Sequence, residues 1–350
     1  MRYEEIDTPA VVIHEDIMRE NVKRMQDFCE KNGYRLRPHI KSHKIPEIAH
    51  LQMDQGAAGI TCQKLGEAEV MIDHGIKDIL IYYNIIGSKK LERLSGLCQK
   101  AKIALAIDSL DVAREISKAL VNSRGEAGIL IDCNTGYDRT GVNGPEEALE
   151  LAKQLMALPQ LHFLGLATFP FPSGARDWFA SAARLFADAG IPIQTISAGG
   201  SGFPTLSNEP IPLVTELRTG TYVFNDRTCV LNGWASFDQC ALRVLTTVVS
   251  VTNDIVIVDA GSKTLTSDIR KGMTGYGYIM EFPEAEIFQF SEEHGHVDVS
   301  RCSQKPKLGD VLTVIPNHAC GTMNLHDEVL RLGNDEIVGR WTVAARGKVR

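Results

Sequence analysis

Eight short apolar runs separated by helix-patterned stretches, from about residue 20 to residue 225, constrain the fold more than any other feature of the chain. They are YRLRPHI (34–40), AAGITC (57–62), DILIYY (78–83), KIALAI (102–107), GILIDC (128–133), LHFLGLAT (161–168), PIQTISAG (192–199) and LVTELRTG (213–220). Between most of them lie segments such as IMRENVKRMQDFCEKNG, whose apolar residues recur at helical spacing and which Gly33 stops. Eight buried strands alternating with helices predict a parallel (β/α)8 TIM barrel rather than an open sheet. After about residue 230 the texture changes to β-rich runs with few helix signals: CALRVLTTVVSVT, DIVIVDAG, GYGYIMEF, GDVLTVIP and EIVGRWTVAARGKV. The expected organisation is a barrel over residues 8–232 followed by a C-terminal antiparallel β domain over 233–350, joined by residues 1–7.

Charge and composition exclude several classes of function. With 37 Lys plus Arg against 44 Asp plus Glu, the formal charge is -7, which offers no global attraction for nucleic acid or an anionic membrane. No long apolar stretch reads as a membrane span, and the acidic start MRYEEIDTPAVVIHED does not read as a signal peptide. The eight cysteines are scattered, form no Cys-x-x-Cys pair and mostly sit in apolar runs, so a reducing cytoplasm is expected.

Against this acidic background, RPHIKSHK (37–44) concentrates Arg37, Lys41, Lys44 and two histidines. In such a barrel the carboxyl ends of the strands face the active site. Lys41 ends the first strand run, which presents its amine at that mouth, and Arg37, His39 and Lys41 alternate along one side of an extended chain. Neighbouring cations and partial desolvation favour the neutral, nucleophilic amine. The bland reading is a solvated basic turn. Two Gly-rich turns argue against it: SAGGSGFPT (197–205) follows the seventh run and RTGTYVFND (218–226) the eighth, where barrels of this type cradle a phosphate. A lysine and a phosphate nest so placed suit an aldehyde-bearing phosphate cofactor, pyridoxal phosphate.

A second constellation lies in the β-rich part. In IPNHACGTMNLHDE (315–328), His318 and Cys320 are two residues apart and leave an extended segment on the same side. Imidazole plus thiolate suits zinc, with manganese or magnesium as alternatives, and two ligands leave positions for water or substrate. Glu293 and His294 in SEEHGHVD are candidates for a further ligand or a supporting contact.

Taken together, DTPAVVIHEDIMRENVKRM, RPHIKSHK, DCNTGYDRTGV, ELRTGTYVFND, VDAGSKTLTSD, SEEHG and GDVLTVIPNHACGTMNLHDE resemble the fold-type III pyridoxal phosphate enzymes related to alanine racemase. The branch is that of eukaryotic-type D-serine dehydratase, D-threo-3-hydroxyaspartate dehydratase and D-threonine aldolase, and the matches run from about residue 7 to residue 328. The resemblance implies an alanine racemase-like barrel, Lys41 as the lysine that binds the cofactor aldehyde, and Arg139 close to the cofactor ring. It places Gly200, Ser201, Gly220 and Thr221 around the phosphate, with Tyr222 nearby, and His318 and Cys320 on the metal. It also implies a homodimer with composite active sites. One segment departs from the family pattern: ATFPFPSGARDW (167–178) has no histidine where relatives show Tyr, Gly and His.

The implied activity is a pyridoxal phosphate- and metal-dependent lyase acting on D-3-hydroxy amino acids. Dehydratase relatives carry His-x-Cys and aldolase relatives His-x-Asp, so Cys320 makes dehydration to a keto acid and ammonia the leading expectation. The alternative is retro-aldol cleavage to glycine and an aldehyde. Racemisation, for which Tyr276 and Tyr278 offer a second acid/base, and a non-catalytic cofactor carrier are lesser readings.

Overall fold

The computed structural model describes residues 6–203, 211–334 and 336–350, and its contacts separate two compact units. One unit comprises Gln26–Lys41, Ile48–Gly220 and Lys348–Arg350; the other comprises Met1–Met25, Ser42–Glu47 and Thr221–Gly347. Among the described residues no helix is long and apolar enough to cross a membrane.

The first strand of the chain, β1 (Ala10–His14), lies in the second unit, and α1 (Glu15–Lys31) follows it. The barrel unit contributes β2 (Arg35–Leu36), β3 (Ile60–Cys62), β4 (Asp78–Ile81), β5 (Lys102–Ile107), β6 (Ala127–Asp132), β7 (Leu161–Thr168), β8 (Thr195–Gly199) and β9 (Glu216–Arg218). All eight lie inside the apolar runs or within one residue of them, and they pair in parallel in the order β2-β9-β8-β7-β6-β5-β4-β3. A parallel bridge from His39 to Thr61 and the hydrogen bond from Thr61 N to Pro38 O (2.7 Å) join the two ends, so the curled sheet closes. Gly165 in β7 has φ +144°, and a Cβ there would stand 2.0 Å from Thr195 O; only glycine lets these two backbones approach so closely.

Helices α2 (Pro46–Asp54), α3 (Leu65–Asp73), α4 (Ser88–Cys98), α5 (Leu110–Ser123), α6 (Pro145–Leu155) and α7 (Ala175–Asp188) alternate with the strands. Their starts and buried faces follow from local sequence. Ser109 caps α5 by accepting from Asp111 N, and Ala113, Ile116, Ser117 and Leu120 form its buried stripe. Pro145 opens α6 with two glutamates in the first turn, and Ala148, Leu151, Ala152 and Leu155 bury the same face.

The barrel interior is apolar on one side and polar on the other. Leu80, Tyr82, Ala106, Leu130 and Ala167 form the apolar cluster. Opposite runs a buried chain of polar contacts: Arg37 Nε donates to Glu216 Oε2 (2.9 Å), Ser197 Oγ to Glu216 Oε1 (2.8 Å), and Arg218 Nε to Ser197 Oγ (2.8 Å). Arg37 also donates to Asp78 Oδ1 (2.6 Å).

In the second unit, nine strands form a mostly antiparallel sheet around β10 (Leu242–Thr252). The path runs from β13 (Glu286–Phe290) through β14 (Gly295–Asp298), β11 (Ile255–Val258), β10, β1 and β16 (Glu328–Gly333) to β17 (Glu336–Thr342). On the same sheet β12 (Gly277–Ile279) pairs with β15 (Val311–Pro316), and β15 with β10. Short helices α8 (Arg227–Leu231) and α9 (Ala319–Met323) complete the unit. The eight cysteines are free thiols; burial pushes Cys29, Cys98 and Cys240 up to about 12, as inert packing residues require.

Candidate active site

On the barrel unit the predicted lysine stands just beyond its strand, not in it. Lys41 is the middle residue of a 3-10 turn (Ile40–Ser42) that follows the His39 bridge. His39 bonds the Gln63 side chain (Nε2 to Oε1, 3.1 Å), and Gln63 in turn donates to Tyr82 O (2.8 Å), so the turn is tied to the ends of β3 and β4. Lys41 Nζ lies 5.5 Å from the centre of the Phe169 ring, and Arg139 Cζ lies 5.0 Å from the same ring and 5.8 Å from that of Tyr137. The two predicted cations therefore meet at an aromatic side chain from the departing segment 167–178.

The loop that carries Arg139 is pinned on both sides. Thr140 Oγ1 donates to Asp132 Oδ2 (2.7 Å), Gly141 N donates to Asp108 Oδ2 (2.9 Å), and Tyr82 O–H donates to the other Asp132 oxygen. Beside it opens a cavity of about 340 Å³ lined by Gln63, Tyr82, Tyr83, Asn84, Asp132 and Arg139, among others.

Two corrections concern the basic cluster. Arg37 does not neighbour the Lys41 amine as a free cation: its guanidinium is buried between Glu216 and Asp78. Alternation along the strand sends it to the lower interior layer, where those carboxylates stand. Lys44 belongs to the other unit, where its Nζ lies 3.5 Å from Ala345 O. The eight-residue cluster is thus divided among separate tasks.

At the ends of β8 and β9 the backbone leaves room for a ligand. Gly200 has φ +133° and nothing within 4 Å of where a Cβ would stand, whereas Gly199 is crowded by Phe169 Cδ2 at 2.8 Å. Thr219, on the neighbouring strand end before Gly220, has a buried hydroxyl oxygen with no hydrogen-bond partner in the structure. An open glycine beside an unsatisfied buried hydroxyl is what a phosphate cradle presents before it is filled. Ser201 follows directly, and the end of SAGGSGFPT (residues 204 and 205) lies outside the described residues.

Arg218 was not singled out by the sequence reading. It is buried, held by Ser197 Oγ, donates to Thr168 O (2.7 Å), and its Cζ stacks 3.8 Å over the Tyr82 ring. Among the described residues it has no carboxylate in salt-bridge contact, and Ser197 links it to Glu216. Its signal was its place as the first residue of the Gly-rich turn RTGTYVFND.

On the second unit, His318 and Cys320 come together across the first turn of α9, with a hydrogen bond between their side chains. Cys320 Sγ also lies 3.2 Å from Ser42 Oγ and 3.7 Å from Thr221 Oγ1. Thr221 and the buried Tyr222 occupy a 3-10 turn, Thr221–Val223. His318 Nδ1 donates to Asp268 Oδ2, so Nε2 is the nitrogen that carries the lone pair once the ring gives up its second proton. Burial lowers the proton affinity of His318, but Cys320, Asp268 and Asp226 outweigh it and raise its pKa to about 9. The turn is fixed beneath: buried Asn317 donates to Asp268 O and Gly275 O (both 2.9 Å), and Asp226 accepts from Ala319 N and Cys229 N (both 2.9 Å).

The expected supporting carboxylate is corrected from Glu293 to Asp268. Glu293 pairs with Lys263 Nζ (3.0 Å), and the SEEHG loop is clipped to VDAGSK through Ser262 N to Ser291 O (3.0 Å) and Lys263 N to Glu292 O (3.1 Å). Asp268 ends the quoted stretch VDAGSKTLTSD, and nothing in its spacing pointed to His318, fifty residues away. Among the described residues no cluster of three His, Cys, Asp or Glu forms a closed metal site. The donor set fits an open one: an imidazole with its distal nitrogen fixed by a carboxylate, and a thiol beside it.

A closed parallel barrel with a lysine at its mouth, joined in one chain to a β unit bearing a His/Cys pair, defines an alanine racemase-like two-part protein. The chain belongs to the family that combines the alanine racemase N-terminal domain, matched over residues 13–228, with the putative serine dehydratase domain, matched over residues 241–332. It is 34% identical to D-threonine aldolase of Arthrobacter sp, over 98% of this chain and 93% of the relative. The crystal structure of D-threonine aldolase from Filomicrobium marinum superposes with a TM-score of 0.92 at 31% identity, covering 100% of this chain and 98% of that one. A cysteine-to-alanine mutant of D-threo-3-hydroxyaspartate dehydratase, solved in the metal-free form, superposes at 0.88 with 27% identity, covering 98% of each chain.

Proposed function

We propose that the chain is a pyridoxal phosphate- and metal-dependent lyase of D-3-hydroxy amino acids, with cleavage of the Cα–Cβ bond to glycine and an aldehyde as its leading reaction. The observation that carries the reading is that Lys41 and Arg139 both approach the Phe169 ring at the barrel mouth. Full-length similarity to D-threonine aldolases favours cleavage over the dehydration that Cys320 led us to expect.

Bound pyridoxal phosphate supplies an electron sink conjugated to the substrate Cα. Lys41 Nζ would hold the cofactor through its aldehyde carbon and would hold or return a proton beside the substrate Cα. Gly200, Ser201, Gly220 and Thr221 offer backbone N–H groups to the phosphate, joined by the unsatisfied Thr219 hydroxyl, with Tyr222 in the adjoining turn. Arg139 and Arg218 would supply positive charge to the bound cofactor, and Phe169 lies beside the Lys41 amine.

A divalent ion, zinc by the softness of its donors, supplies a Lewis acid for the 3-hydroxyl. His318 Nε2 and Cys320 Sγ would hold it, with Asp268 keeping the proton on Nδ1. That a mutant of the dehydratase relative was solved specifically in a metal-free form supports metal dependence.

Dehydration to a keto acid and ammonia remains the second reading, favoured by Cys320 in the His-x-Cys pattern. Product analysis decides between them. Purified protein with pyridoxal phosphate and zinc is incubated separately with D-threonine, D-serine and D-threo-3-hydroxyaspartate. Glycine with an aldehyde is the expected outcome; ammonia with a keto acid would establish the dehydratase instead.

A further inference from the structure

A cavity of about 840 Å³ lies away from Lys41, at the amino ends of the barrel strands. Small residues create it. Barrel interiors are usually filled by bulky branched side chains, but here Ala104 of β5 stands directly opposite Gly128 of β6. A Cβ on Gly128 would fall 2.4 Å from Leu164 Cδ1, so a larger residue there requires that side chain to shift. Leu80, Leu130 and Leu164 complete an aliphatic floor, and among the described residues no Phe, Tyr or Trp lines the cavity.

The rim is cationic. Arg35, Lys77, Lys100 and Lys102 border the opening and outnumber its one exposed carboxylate, Glu126, which His162 Nε2 approaches to 3.1 Å. Lys102 is paired with Asp78 (2.9 Å), and Arg35 donates to Thr195 Oγ1 (2.8 Å). Lys77 and Lys100 are exposed and take part in no ion pair among the described residues. Below them Arg37 is already satisfied by Glu216 and Asp78, so an incoming anion meets the two rim lysines rather than the buried guanidinium.

We infer that this cavity binds a medium-chain aliphatic carboxylate, its chain on the floor formed by Ala104, Gly128 and Leu164 and its head group between Lys77 and Lys100. The volume lies within the range of small-molecule sites, roughly 300–1,000 Å³, and the lining combines an apolar body with a few charged groups as such sites do. The inference stands apart from the proposed lyase site and needs neither cofactor nor metal.

Calorimetric titration of the holoprotein with octanoate tests it, using octanamide as the uncharged control. Saturable one-to-one binding is expected, at least tenfold weaker for octanamide. The double substitution Lys77→Glu with Lys100→Glu, on exposed side chains, should weaken octanoate at least tenfold while leaving lyase turnover unchanged. Ala104→Leu should abolish binding by filling the floor. Absence of saturable binding, equal affinity for octanamide, or octanoate affinity unchanged in the double variant would overturn the inference.

Discussion

Lys41 Nζ stands 5.5 Å from the centre of the Phe169 ring, and Arg139 approaches that ring from 5.0 Å. The one segment that departs from the family pattern thus supplies the residue that touches both cations. Cation–aromatic contacts of this kind contribute about 0.5–2 kcal/mol each. Phe169→Ala should therefore lower kcat/KM for the lyase reaction about tenfold while the protein keeps its visible cofactor absorption. Steady-state kinetics alongside an absorption spectrum check this; unchanged kinetics would remove Phe169 from the site.

Asp268 holds Nδ1 of His318, and the outer partners of metal-binding histidines typically govern affinity by 10–100-fold. Asp268→Asn should release metal at a chelator concentration that the wild type withstands, read by metal content after dialysis. Cys320→Ala should lose the metal and most lyase activity yet keep the cofactor absorption. Full activity after metal stripping would contradict the role given to His318 and Cys320.

Arg37 is buried between Glu216 and Asp78, and removing one member of a buried pair strands its partner's charge. Arg37→Met should destabilise the protein by about 3–5 kcal/mol. Chemical denaturation measures it, and a loss too small to detect would show that water reaches Glu216 freely.

Acid should act on the same network through Asp78. Burial alone would raise its pKa, but Arg37 and Lys102 outweigh it and hold it below the ordinary 3.8. A folded-state value below the unfolded one means the stabilisation is complete above that ordinary value and is lost as pH falls through the folded one. Asp78→Asn should be less stable than wild type at neutral pH, with the gap closing towards strong acid. A gap that stays constant with pH would show that the charge of Asp78 contributes nothing.

The barrel strands were legible because each is a short apolar run bounded by helix signals, and KIALAI and LHFLGLAT coincide with β5 and β7 residue for residue. β1 was not, since AVVIH runs straight into a helix pattern and its partners, Leu242–Leu245 and Leu330–Leu332, lie more than two hundred residues away. The same distance effect governs the site. Lys41 and the His318/Cys320 pair stood out by local pattern, whereas Asp268 and Arg218 acquire meaning only from what they face. The fate of Arg37 was hidden for the related reason that its counter-charges, Asp78 and Glu216, come from other strands.

Borohydride reduction of the pyridoxal phosphate-loaded protein, followed by peptide mass mapping, tests the central claim most directly. The account predicts a single phosphopyridoxyl group on Lys41, absent in Lys41→Ala together with the visible absorption and all turnover. A label on another lysine, or activity surviving in Lys41→Ala, would contradict it.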